Sequence, residues 1–137
     1  MSNFVSHIAT IEIPVTNLDR SIEFYVETLG VSVTFKGEKQ AMLTFGLKGV
    51  PTLFLVQIEV QTEGQKHLSF VNPSNGIEHT VIDFYTDKLL EFHSWLADRH
   101  VEVSALNINE ENGLGGFGFK DPDGNLLSAC NILHENQ

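Results

Sequence analysis

The side chains able to do chemistry in this chain are few and widely spaced. Six histidines occur, at His7, His67, His79, His93, His100 and His134, with no H-x-x-x-H pair among them. A helical metal site needs such a pair, because residues four apart share a helix face. Most of these imidazoles are therefore expected at the surface. A single cysteine, Cys130, excludes an internal disulfide and lies in an apolar run, where a thiol usually serves as a small core residue. The run Gly113-Leu114-Gly115-Gly116-Phe117-Gly118-Phe119 is rich in glycine but opens a strand, whereas a phosphate loop follows a strand and opens a helix. A β-turn with a bulge, or close approach of backbone, is the expectation there.

The elements that must position these groups follow from periodicity. Ile8 to Val15 alternates, with Ile11, Ile13 and Val15 on one face and Thr10, Glu12 and Pro14 on the other, which predicts a half-buried strand. Thr16 and Asn17 are helix-capping types. Leu18, Ile22, Tyr25 and Leu29 then fall at helical spacing before Gly30 offers a left-handed stop. Strands are predicted at Val31 to Phe35, Ala41 to Phe45 and Thr52 to Ile58, separated by glycine-bearing turns, so that the first half reads βαβββ. The polar stretch Glu59 to Asn75 is the natural linker.

The second half repeats this order. Ile77 to Phe84 reads as a strand, Thr86 as a helix cap, and Leu89, Phe92 and Leu96 as one helical stripe. Strands are expected at Val101 to Leu106, Gly116 to Phe119 and Leu126 to Ile132. The halves superpose with Val15 on Phe84 and Val31 on Val101, at offsets of about 69 and 70 residues. Module one is thus placed at about 6–58 and module two at about 76–133. A four-stranded module with one helix covers a single sheet face, so the other face must meet the sister module, a second subunit or a ligand.

At 137 residues, with 42% hydrophobic and 19% charged residues, the chain fits one compact folded domain over 1–137. Its net charge of −10 disfavours approach of nucleic acid or anionic lipid. No run approaches the length of a membrane span, and the segment Met1 to Val5 lacks the basic and apolar regions of a signal peptide. A cytoplasmic location is the expectation.

Two stretches resemble a known family. Ile13-Pro14-Val15-Thr16-Asn17-Leu18-Asp19-Arg20-Ser21-Ile22-Glu23-Phe24-Tyr25, continuing to Leu29-Gly30-Val31, is similar to the opening V-x-D-L-x-x-S-x-x-F-Y-x-x-x-L-G-V of vicinal oxygen chelate proteins, with Asn17 where Asp is usual. Phe119-Lys120-Asp121-Pro122-Asp123-Gly124-Asn125-Leu126 resembles their last hairpin. The superfamily comprises the glyoxalase, bleomycin-resistance and extradiol-dioxygenase type. The resemblance implies an α+β fold in which two tandem βαβββ modules form a curved mixed sheet around a cleft. Both motifs also have scaffold roles: Asp121-Pro122-Asp123-Gly124 is turn chemistry, and Phe24 and Tyr25 extend the apolar side of a helix.

Metal-using members place four ligands on the cleft-facing strands, often His or Glu, and use a divalent ion to hold two vicinal oxygens. Carried onto this chain, those positions fall on Thr10, at about Phe54, on His79 and on Ser128. Only His79 keeps a ligand type. Glu12 shares the polar side of its strand with Thr10, and a two-fold relation of modules would bring it toward His79, as a weak metal site or an acid/base couple.

The resemblance therefore implies a metal-independent small-molecule binder, with Thr10, Glu12, Phe54, His79 and Ser128 contacting a ligand held in the cleft between modules or subunits. The alternative is a glyoxalase-like lyase, isomerase or dioxygenase using Glu12 and His79 as catalytic groups, with or without a divalent metal. No cofactor is expected, a divalent metal being the one left open. A homodimer is expected, because family members often complete the cleft across a two-fold axis.

Overall fold

The structure is a computed structural model that describes residues 3–59 and 68–137. It divides into two compact units, residues 1–65 and 66–137. The first half of the expected linker, residues 60–67 with His67, lies outside the described residues.

In the first unit, strand β1 (Thr10–Val15) leads through helix α1 (Leu18–Leu29) to β2 (Ser32–Lys36), β3 (Gln40–Thr44) and β4 (Thr52–Gln57). These make a four-stranded sheet in the order β1-β4-β3-β2, with β1 parallel to β4 and the other pairs antiparallel. Helix α1 begins where the sequence predicts. The Asn17 side chain accepts a hydrogen bond from the Arg20 amide at 3.1 Å, and Gly30 closes the helix with φ 72°. The Leu18 amide, another of the unpaired donors of the first turn, donates to Gln57 Oε1 at 2.9 Å and ties the helix start to the end of β4.

Leu18, Ser21 and Tyr25 are the buried residues of α1. They belong with Ile13, Val15, Ala41, Leu43, Leu53 and Leu55, which are all buried on alternate positions of β1, β3 and β4. Strand β2 departs from its neighbours: every residue in it is exposed, Val33 and Phe35 included, and the register shifts between those two. It is an edge strand, and the bulge that irregularity represents is a usual way of ending a ladder.

The second unit repeats the topology. Strand β7 (Asp83–Tyr85), helix α2 (Leu89–Asp98), β8 (Asn107–Ile108), β9 (Gly115–Lys120) and β10 (Leu126–Cys130) form a sheet in the order β7-β10-β9-β8, with β7 parallel to β10. His100 at φ 62° follows α2 as Gly30 follows α1. Its core joins Leu89 and Leu96 of α2 to Phe117, Phe119, Leu127 and Ala129. The Phe92 ring lies 5.8 Å from both Phe117 and Phe119.

Three expectations for this unit are corrected. The strand predicted over Ile77 to Phe84 is two strands: β6 (Glu78–Thr80) pairs with β5 (Ser69–Val71) in a hairpin, and β7 pairs with β10. The change of partner occurs at Val81 and Ile82, whose backbones bond to Leu68 and Ser128 respectively. Strand β5 also lies within the stretch expected to be linker. The strand predicted over Val101 to Leu106 reduces to one bridge, Val103 to Phe119, with β8 formed further on. Ser104 explains part of this, because its hydroxyl accepts from the Gly118 amide at 2.8 Å in place of a backbone carbonyl. Thr86 does not cap α2 in the expected manner: Lys88 holds the cap position without a side-chain bond, and the Thr86 hydroxyl accepts from the Lys88 amide at 3.1 Å.

Candidate functional site

Each sheet has one face covered by its own helix and, among the described residues of its unit, an opposite face that no helix covers, and the polar groups gather on these uncovered faces. In the first unit, cross-strand register places Glu12 beside Phe54, Phe54 beside Met42, and Met42 beside Phe35. Partners in register point to the same side of a sheet. The result is a row across all four strands, with a carboxylate at one end and three apolar side chains after it. Glu12 and Phe35 are exposed, while Phe54 and Met42 are half-buried. Thr10 sits one step along, opposite Thr52, and their hydroxyl oxygens are 3.1 Å apart.

In the second unit the same register argument brings Asp83, Ser128 and Gly118 abreast, and Tyr85, Cys130 and Gly116 abreast. The Ser128 hydroxyl donates to Asp83 Oδ1 at 2.8 Å. Thr80 Oγ1 lies 2.7 Å from Ser128 Oγ. Since the single Ser128 proton is committed, the Thr80 hydroxyl donates to Ser128, and a chain runs Thr80 to Ser128 to Asp83. A hollow of about 460 Å³ lies over this face, with Asp83, Ser128, Cys130, Gly116 and Asn107 among its lining.

The glycine run acquires a physical reason here. A Cβ on Gly116 would come within 2.6 Å of the Ala129 carbonyl oxygen, and one on Gly115 would strike the Asn107 carbonyl. These positions admit no side chain because backbone lies against them, which keeps the floor of the hollow bare.

Burial pushes the Cys130 thiol above its ordinary value of 9.0. A backbone hydrogen bond at Ile132 opposes this, and Asp83 reinforces it through a side-chain hydrogen bond and by its charge. The folded chain thus holds this proton more tightly than the unfolded chain does. The contribution to stability is complete below pH 9.0 and declines as pH rises beyond it. Alkylation by iodoacetamide, which requires the thiolate, is expected to reach half its limiting rate above pH 9.0 in the folded protein. In Asp83→Asn that midpoint moves down, because one of the raising causes is gone. A wild-type midpoint at or below that of the urea-unfolded chain would refute the assignment.

The residues picked out from sequence are placed as follows. Thr10, Glu12 and Phe54 share the uncovered face of the first unit. Ser128 lies on the uncovered face of the second. His79 is exposed on β6, its ring stacked on Phe70 at 5.3 Å. The partners that reach Ser128 are Thr80 and Asp83, neither of which sequence reasoning selected. The available signal was Asp83 itself, a charged residue amid the apolar run Val81-Ile82-Asp83-Phe84, where aspartate is disfavoured.

These donors do not fit a catalytic divalent ion at the positions the resemblance assigns. Phe54 has no donor atom, Thr10 is paired with Thr52, and Ser128 is held between Thr80 and Asp83. Among the described residues no cluster of three or more His, Cys, Asp or Glu side chains could hold a metal.

Comparison with known proteins gives one consistent answer. No curated protein matches the chain. Solved structures do, over nearly the whole length on both sides. A glyoxalase family protein from Enterococcus faecalis is 20% identical, with a TM-score of 0.67 over 93% of this chain and 98% of the other. The lactoylglutathione lyase of Agrobacterium tumefaciens is 17% identical, with a TM-score of 0.64 over 92% of this chain and 93% of the other. TnmS3, an antibiotic binding protein from Streptomyces sp. CB03234, is 21% identical, with a TM-score of 0.63 over 93% of this chain and 97% of the other. At these identities the likeness is one of fold. The model of the glyoxalase/bleomycin resistance protein/dioxygenase superfamily matches residues 5–128, and the chain belongs to that superfamily.

Proposed function

We propose that this protein binds a small organic molecule without a metal ion, with the ligand held against the uncovered sheet faces in the cleft between modules or subunits. The observation that carries this reading is the side-chain chemistry at the family's ligand positions. Phe54 stands in an apolar row with Met42 and Phe35, and the hydroxyls of Thr10 and Ser128 are already hydrogen-bonded within the protein. Such a surface offers van der Waals area and a few oriented polar groups, which is what most small-molecule sites consist of. Thr10, Glu12, Phe54, His79 and Ser128 are the proposed contacts. The antibiotic binding protein among the structures of like fold is consistent with such a role.

The proposal extends to a homodimer, in which a second copy covers apolar side chains such as Val33 and Phe35 on the edge strand β2. It extends also to a cytoplasmic location, supported by the lone cysteine; among the described residues no helix is long and apolar enough to cross a membrane. In the enzymatic alternative Glu12 and His79 act as an acid/base couple, so His79→Ala would abolish turnover while leaving the melting temperature unchanged.

Elemental analysis and a thermal-shift screen decide between these readings. Purified protein is expected to carry no stoichiometric metal and to show no upward shift with Mn²⁺, Ni²⁺ or Zn²⁺. Planar aromatic drugs are expected to raise the melting temperature, since a ligand at about 100 times its Kd adds about 2.7 kcal/mol. Phe54→Ala is expected to remove that shift. A bound ion at one equivalent, or metal-dependent stabilisation, would overturn the proposal.

A further inference from the structure

The hollow over the second sheet contains an unused recognition element. Asp83 lies on β7, an edge strand, where its Oδ1 receives the Ser128 hydroxyl and the Cys130 thiol is its other hydrogen-bond neighbour, so the carboxylate keeps lone pairs for a further donor. No lysine, arginine or histidine lines the hollow, and Asp83 forms no ion pair among the described residues. The acid is nevertheless oriented. Ser128 fixes it, Thr80 fixes Ser128, and the Ser128 hydroxyl also lies 3.3 Å from the Ile82 carbonyl. A carboxylate pre-set by a two-hydroxyl chain loses little freedom when it accepts a further proton donor, so its hydrogen bond to a charged donor is strong.

The surroundings of Asp83 define what fits beside it. Gly116 and Gly118 present bare backbone on the same face, where Gly116 cannot carry a Cβ. Ile132 and Ala105 supply apolar walls. Tyr85, half-exposed, follows Asp83 on β7 at the position in register with Cys130. A flat apolar body can therefore lie on the glycine floor while a positive nitrogen reaches Asp83, and the net charge of −10 attracts cations to the molecule as a whole.

From this geometry we infer that the hollow is an ammonium-recognising subsite: Asp83, oriented by Ser128 and Thr80, accepts from the protonated amine of a ligand whose aromatic or aliphatic body rests over Gly116. The inference rests on the small-molecule-binding reading above and names the substrate class it selects, organic amines.

Cys130 lines the same hollow and is the only cysteine of the chain, so its modification reports occupancy directly. The experiment follows the rate of Cys130 alkylation by iodoacetamide at 0.15 M salt in the presence of 2-phenylethylammonium, 2-phenylethanol or phenylacetate. These share a ring and differ in charge. Each protection is expressed as the ratio of rates with and without probe, so that the altered basal reactivity of a variant cancels.

In the wild type the ammonium is expected to protect at a concentration at least tenfold lower than the alcohol, and phenylacetate is expected not to protect. Asp83→Asn keeps an acceptor for Ser128 and is expected to erase the tenfold preference while the alcohol still protects. Ser128→Ala, which frees the carboxylate without removing it, is expected to reduce the preference partly. Equal protection by ammonium and alcohol, or a preference that survives in Asp83→Asn, would overturn the amine assignment and leave the binding reading intact. Absence of protection by every probe would also overturn it. The binding reading itself is judged separately, by the drug-induced thermal shift and its loss in Phe54→Ala.

Discussion

Phe119→Ala is expected to lower the stability of the protein by about 4 kcal/mol, the range in which buried phenylalanine truncations fall, and to lower the melting temperature by roughly 12 °C for a chain of this size. Phe119 is fully buried near the end of β9. Its ring lies 5.8 Å from Phe92, 6.1 Å from Phe117 and 6.4 Å from Phe84. Those neighbours come from α2, from the same strand and from β7, so a cavity left by the ring cannot close by movement of one element. Urea unfolding checks the magnitude. Phe119→Leu, which retains most of the volume, should lose about 1.5 kcal/mol at most. Phe54→Ala gives the contrast, because Phe54 is half-buried and stands on the uncovered face of its own sheet. Its cost should be well under half that of Phe119→Ala. Comparable losses would mean that Phe54 is a packing residue and would count against its proposed role in binding.

The second large effect is expected at the last hairpin. Asp121 is 5% exposed, and its carboxylate accepts from the amides of Asp123 and Asn125, both at 2.9 Å, and from Asn125 Nδ2 at 2.9 Å. The Asp121 carbonyl also receives the Gly124 amide at 3.0 Å, with Gly124 at φ 81°. Asp121→Ala leaves three donors without an acceptor, two of them in bonds that are buried, and should cost about 3 kcal/mol. Asp121→Asn should recover roughly half, since an amide oxygen can still serve the two backbone amides while its NH₂ faces the Asn125 side chain. Thermal unfolding of the two variants side by side tests this. A loss below about 1 kcal/mol in Asp121→Ala would mean that water replaces the carboxylate.

The turn shows what kind of information lies within a few residues of chain. Pro and Gly preset two backbone angles, and aspartate bonds amides just ahead of it. The same holds for α1, whose cap at Asn17, stop at Gly30 and buried Leu18 and Tyr25 fall where spacing predicts them. The duplication was likewise legible, because each module repeats one order of periodicities, and the two sheets have the same strand order. The covered and uncovered sides of β1 follow from strict alternation, which puts Thr10 and Glu12 on the side opposite the buried Ile13 and Val15.

What failed to be legible was each matter of partnership. Val101 to Leu106 has the composition of a strand, yet only Val103 bridges to β9, since the Ser104 side chain takes a ladder position. Ile77 to Phe84 reads as one strand, but two different partners claim its ends, and the switch at Val81 and Ile82 resets which side chains face Ser128. Thr80 and Asp83 were thereby brought to Ser128, and His79 to Phe70.

By itself, then, the sequence determined the elements with local codes: two βαβββ modules, the cap and stop of α1, and the final turn. Tertiary structure alone decided the Thr80-Ser128-Asp83 chain and the glycine-floored hollow beside it. The reason is that caps, turns and alternation act through neighbouring residues, whereas a hydrogen bond between Asp83 and Ser128 joins chain positions 45 residues apart and exists only once β7 and β10 have paired.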